Sequence, residues 1–79
     1  MLQTASELVA PNRIILMKNE VYRVPQTHRE VQVLSGTAWI TLDKKDIILH
    51  SSEQASLPFS KNPVLISALN NMPLIMAVW

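Results

Sequence analysis

The sequence predicts an all-β domain, a small antiparallel barrel or sandwich of seven or eight short strands. From Arg13 onward, short segments rich in β-branched and aromatic side chains alternate with polar turns at the spacing of hairpins. Gly36, the single glycine, lies between two segments in which apolar and polar residues alternate. No stretch places apolar residues at helical spacing over a length that could compete with strands.

Eight strands are predicted in residues 13–79, which are expected to form one domain. Their predicted bounds are Arg13–Lys18, Val21–Val24, Glu30–Leu34, Thr37–Leu42, Ile47–His50, Gln54–Phe59, Val64–Leu69 and Pro73–Trp79. Residues 1–12 are predicted to be an N-terminal arm. Thr4 and Glu7 have the spacing of a capping box, so this arm forms either one helical turn before Pro11 or a disordered segment.

The segment from Glu30 to Leu42 is predicted to be a hairpin whose two-residue loop is Ser35-Gly36. Glycine at the second loop position suits a type I′ turn, because both central residues of that turn need positive φ. The predicted register pairs Leu34 with Thr37, Val33 with Ala38, Gln32 with Trp39 and Val31 with Ile40. It gives one apolar face, which is expected to point inward and consists of Val31, Val33, Ala38, Ile40 and Leu42.

A second hairpin is predicted in the uncharged C-terminal stretch, with Asn70-Asn71 as its turn. Asn70, Asn71 and Pro73 interrupt the apolar residues, and this excludes a membrane span. Both faces of the hairpin are apolar, so either another subunit or the N-terminal arm is expected to cover the outer one. The interface candidates are Leu65, Leu74, Met76 and Val78, with Trp39 as a further one.

Composition narrows the classes of function. The formal charge is +1, and the basic residues form no run with interleaved aromatics, so no nucleic-acid partner is expected. The chain has no cysteine, which fits a reducing compartment. The N-terminus lacks the features of a secretory signal, so cytoplasmic residence is expected, and no membrane association is predicted. A chain of 79 residues has only a small core, and a partner subunit would stabilise it.

Residues 31–57 carry a resemblance to a known family. The positions concerned are Gly36, Trp39, Ile40, Thr41, Asp46, Leu49 and Leu57. On these positions the chain resembles the central part of small bacterial cupin-like proteins of unknown function, although Ser52 stands nearest to the place of a second family glycine. The resemblance covers about a third of the chain. It implies a small cupin-like jelly roll and no particular activity.

The metal motifs of the wider cupin superfamily are not present in this chain. Counted from Gly36, the two histidine positions of the first motif fall on Leu42 and Lys44, and its glutamate position falls on Ile48 or Leu49. In the second motif only Pro58 matches, and the remaining positions fall on Ser52, Ser60, Pro63 and Ser67. Apolar and cationic side chains are not metal ligands, so no metal or other cofactor is expected. The same count predicts that positions 38, 40 and 42 face the interior.

Four polar or aromatic residues are weak candidates for ligand binding. His28 and Glu30 could supply two metal donors, but a solvated loop is the preferred interpretation because a two-donor site is weak. His50 ends a predicted strand, and no partner for general-base chemistry is evident. Trp39 on the outer face could stack a ligand, although packing or a subunit interface is preferred. Tyr22 is a further candidate for such a site.

The preferred hypothesis is a non-catalytic, metal-free module that associates with itself, most simply as a homodimer. An alternative is a small-molecule binding or sensor barrel that uses Trp39 or Tyr22. A third is an enzyme with a non-standard metal site at His28, Glu30 and His50.

Overall fold

The computed structural model describes residues 12–43 and 45–79, and all secondary structure in this part of the chain is β. The strands are β1 (Asn12–Leu16), β2 (Val21–Val24), β3 (Glu30–Ser35), β4 (Ala38–Thr41), β5 (Asp46–Leu49), β6 (Gln54–Ser56), β7 (Val64–Ala68) and β8 (Leu74–Val78). All eight predicted strands are therefore confirmed, with bounds that differ by up to three residues. The predicted N-terminal arm, with Thr4 and Glu7, lies outside the described residues apart from Asn12, which begins β1.

The strands form a sandwich of two four-stranded antiparallel sheets. Sheet A has the order β1-β8-β3-β6, and sheet B has the order β2-β7-β4-β5. Consecutive strands fall in different sheets at most connections, so the chain passes repeatedly from one layer to the other. Among the described residues no helix is long and apolar enough to span a membrane.

The core lies between the sheets and follows the alternation of side chains along each strand. Every residue of the predicted inner face is buried, with Val31 and Val33 on β3, Ala38 and Ile40 on β4, and Leu42 directly after β4. Ile66 on β7 completes the centre. The prediction that positions 38, 40 and 42 face the interior is thus confirmed.

The predicted hairpin at Ser35-Gly36 is wrong, because β3 and β4 belong to different sheets. β3 pairs with β6 and β8, whereas β4 pairs with β5 and β7. Gly36 does have the positive φ that was predicted, at 88°, but it serves a corner where the chain crosses the core. A Cβ atom on Gly36 would lie 2.5 Å from the carbonyl oxygen of Pro73. Glycine is therefore required here both by backbone conformation and by space.

The predicted C-terminal hairpin is wrong for the same reason, since β7 lies in sheet B and β8 in sheet A. Each strand turns its own apolar side toward the core from opposite layers. Three of the interface candidates on β8, namely Leu74, Met76 and Val78, are consequently fully buried inside the chain. They are core residues and are not available to a partner. Leu65 on β7 faces outward and is half-buried.

Candidate functional site

The four candidate ligand-binding residues lie in four different places. His28 lies in the β2–β3 connection at one end of the sandwich, and His50 follows β5 at the opposite end. Tyr22 points toward the core, against which it packs, and Trp39 lies on the outer face of sheet B. The structure does not assemble them into one site.

Both ring nitrogens of His28 have partners. Nε2 lies 2.7 Å from Nδ2 of Asn12, and Nδ1 lies 3.1 Å from Oγ1 of Thr27. Which nitrogen donates depends on the ring tautomer, since Asn12 and Thr27 can each donate or accept. The carboxylate of Glu30 accepts hydrogen bonds from Gln54 and Ser56. The His28 and Glu30 side chains are thus held by neighbouring polar groups.

His50 is exposed in the β5–β6 connection, where its backbone N–H donates to Oε1 of Glu53 at 2.7 Å. The same connection docks on β3, because the backbone N–H of Ser52 donates to the carbonyl oxygen of Val33. Within the described ranges, no three His, Asp or Glu side chains are placed to share a metal ion. His28, Glu30 and His50 do not converge.

Burial raises the pKa of Tyr22 above its ordinary value, because desolvation disfavours the phenolate. Tyr22 is the single tyrosine of the chain, so its ionisation can be followed by absorbance without overlap from another phenol. We expect its pKa to be above ~10 in the folded protein and to return to ~10 in denaturant. The folded state holds this proton more tightly than the unfolded state does. The free energy of unfolding is therefore unaffected below the unfolded-state pKa of about 10 and falls as the pH rises from there through the folded-state pKa. An unshifted titration of the folded protein would contradict the inward placement.

Trp39 belongs to a row across all four strands of sheet B that contains three exposed apolar side chains and one half-buried serine, and it is called the apolar row below. The strand register aligns Val21, Ser67, Trp39 and Ile48 from edge to edge. The exposed fractions are 61% for Val21 and 40% for both Trp39 and Ile48. A second row beside it consists of Arg23, Leu65, Thr41 and Asp46. These two rows are called the sheet B face below.

A cavity of about 520 Å³ lies at the end of the sandwich that carries His28. It is formed by the β2–β3 and β6–β7 connections, and it is called the Arg29 cavity below. The guanidinium carbon of Arg29 lies 3.3 Å from the centroid of the Phe59 ring. Nε of Arg29 also donates to the carbonyl oxygen of Leu57 at 3.1 Å. Arg23 and Lys61 complete the cationic lining.

Sequence reasoning did not select Arg29, Phe59 or Lys61. Phe59 was predicted to end the strand Gln54–Phe59, but β6 ends at Ser56 and Phe59 lies in the β6–β7 connection. The flanking Pro58 and Pro63 were the signal that could have placed it in a loop. Arg29 gave no such signal, because its contact with Phe59 joins positions that are distant in the sequence.

The chain was compared with protein families, curated proteins and solved structures, and none of them matches it.

Proposed function

We propose that this protein is a small cupin-like jelly roll that acts as a non-catalytic self-association module, with the sheet B face as the contact of a homodimer. The sandwich has eight strands in two four-stranded sheets, in the orders β1-β8-β3-β6 and β2-β7-β4-β5. An eight-stranded double-sheet arrangement of this kind is the architecture of jelly rolls, among them the cupins.

Ser52 also supports the resemblance to the cupin-like family. It is the residue nearest to the place of the second family glycine, and its φ is 76°. Positive φ is uncommon for residues other than glycine, asparagine and aspartate. The chain thus keeps at Ser52 a backbone conformation that a glycine would adopt easily.

The observation that carries the proposal is that the sheet B face is complementary to itself. In a two-fold dimer the same patch serves both protomers. A rotation of 180° about an axis parallel to the strands, between β7 and β4, places β2 over β5 of the partner and β7 over its β4. In the apolar row, Trp39 then lies opposite the small Ser67, and Val21 lies opposite Ile48.

The second row matches in charge under the same rotation. Arg23 on β2 lies opposite Asp46 on β5 of the partner, and the symmetry produces this pair twice. Leu65 lies opposite Thr41. Opposite charges at the rim and an aromatic side chain near the centre are the arrangement that subunit contacts use.

Trp39→Lys is expected to weaken self-association about 10-fold or more, since central aromatic residues are among the few that contribute strongly to an interface. Sedimentation equilibrium at a series of concentrations measures the effect. The matched control is Ile15→Lys, which changes a side chain that is 61% exposed on the outer face of sheet A. The control is expected to associate as the parent does. Equal weakening by both variants would refute the assignment of the face.

A further inference from the structure

We propose that the Arg29 cavity binds a small organic anion, and that Arg29 pairs with its carboxylate or phosphate group. The site lies at the end of the sandwich and shares Arg23 with the sheet B face, whereas Arg29 and Lys61 lie outside that face. Four observations carry the inference: the charge of the lining, the fixed position of Arg29, the size of the cavity and its apolar walls.

The lining concentrates positive charge. Arg23, Arg29 and Lys61 all border the cavity, together with His28, and no aspartate or glutamate is among the described residues that do so. The chain as a whole has nearly balanced charge, with seven basic and six acidic side chains. A concave surface that gathers cations without counter-charges attracts anions, because low-dielectric walls focus the field.

Arg29 is held in place before any ligand arrives. Its backbone N–H donates to the carbonyl oxygen of Trp79 at 2.9 Å, and its own carbonyl accepts from Leu57 N–H at 2.6 Å. The Phe59 ring covers one face of the guanidinium, and Nε is engaged by the Leu57 carbonyl. Among the described residues no protein acceptor engages the two terminal nitrogens. These form the planar edge that binds carboxylate or phosphate oxygens in pairs.

The dimensions and walls define the class of ligand. A volume of about 520 Å³ lies within the usual range of small-molecule sites, roughly 300–1,000 Å³. Pro25, Pro58, Pro63 and Leu57 supply apolar walls. A small molecule with a compact apolar part and one carboxylate or phosphate group fits this volume, these apolar walls and the cationic lining. A polynucleotide does not, since the cations border one local concavity and form no extended stripe.

A purely structural role for the Arg29–Phe59 contact explains less. Such a contact would fix the β6–β7 connection with one cation, and it would leave Lys61 at the same cavity unexplained. The connection is also held from its other side, where the carboxylate of Asp43 accepts hydrogen bonds from Ser60 and Asn62. Asp43 itself does not border the Arg29 cavity.

The test is a titration of the 79-residue chain, followed by amide NMR, with benzoate and phenyl phosphate as anionic probes and benzamide as the neutral one. We expect saturable shifts at residues 24–29 and 57–63 with at least one anion, at concentrations up to about 10 mM, which corresponds to weak single-site binding. The preferred anion distinguishes carboxylate from phosphate recognition. Benzamide is expected to cause no saturable shift.

Arg29→Gln is expected to weaken binding of the preferred anion roughly 10- to 100-fold, the loss that a charge-assisted pair produces. Lys61→Gln, in an exposed connection, is expected to weaken anion binding about 3-fold. If Arg29→Gln does not fold, the Lys61→Gln variant serves as the test of the cationic lining. Arg13→Gln, on β1, is the control and is expected to bind as the parent does. The proposal would be overturned if benzamide bound as well as the anions did, or if neither anion caused a saturable shift. It would also be overturned if a folded Arg29→Gln variant bound the anion as the parent does. If Arg29→Gln does not fold, undiminished binding by Lys61→Gln would overturn it instead.

Discussion

Met76→Lys is expected to unfold the protein. Met76 has no exposed surface and lies between Ile14 of β1 and Val33 of β3 in the sheet A register. An unpaired ammonium group at such a position costs several kcal/mol, and a domain of this size has a total stability of only about 5 kcal/mol or a little more. Circular dichroism of the purified variant should show loss of β structure and of a cooperative melt.

The control for this experiment is again Ile15→Lys, which places the same charge on the exposed side of β1. It is expected to change the free energy of unfolding by less than about 0.5 kcal/mol, as surface substitutions usually do. A folded and cooperative Met76→Lys variant would show that β8 turns this side chain outward, contrary to the structure.

Gly36→Val is expected to have the second largest effect. A β-branched residue at a φ of 88° is strained by roughly 1–3 kcal/mol. The new Cβ must also displace the Pro73 backbone, from whose carbonyl oxygen it would lie 2.5 Å away, at a further cost of roughly 1–3 kcal/mol. Urea denaturation should therefore show a loss of at least about 2 kcal/mol, or an unfolded variant.

Ser52→Gly tests whether positive φ alone explains the result at Gly36. Ser52 also has positive φ, but in an exposed turn. Glycine relieves the backbone strain there and adds entropy to the unfolded chain, so the change in stability is expected to be within about 1 kcal/mol. If Gly36→Val were as mild as this control, the close approach of Gly36 to the Pro73 backbone would be wrong.

The sequence predicted the strands well because each strand carries its own alternation. Val31 and Val33 on β3, like Ala38 and Ile40 on β4, point to the core whatever the strands pair with. For this reason the inner face was correct although the hairpin was not. A two-residue hairpin and a two-residue corner between facing sheets give the same pattern around Gly36. Pairing partners are set by contacts between distant segments, and a local pattern does not contain them.

The same limit explains the errors at the C-terminus. The prediction paired β7 with β8 in one sheet. The side of β8 that faces the core was therefore interpreted as an outer surface. Trp39 and Leu65, by contrast, lie on the outer face of sheet B, where the alternation of β4 and β7 places them. The Arg29–Phe59 contact was not predictable, because neither residue lies within a strand.

The central claim is self-association through the sheet B face, and charge reversal at its rim tests it most directly. Arg23 and Asp46 lie on the two edge strands of sheet B, roughly 14 Å apart at the usual strand spacing, so they do not contact each other within one protomer. Sedimentation equilibrium should show a parental dimer at about 10 μM. Arg23→Asp and Asp46→Arg should each weaken the dimer about 10-fold through repulsion, and the double variant should restore it to within about 3-fold of the parent. A monomeric parent, or a double variant no stronger than the weaker single one, would contradict the account.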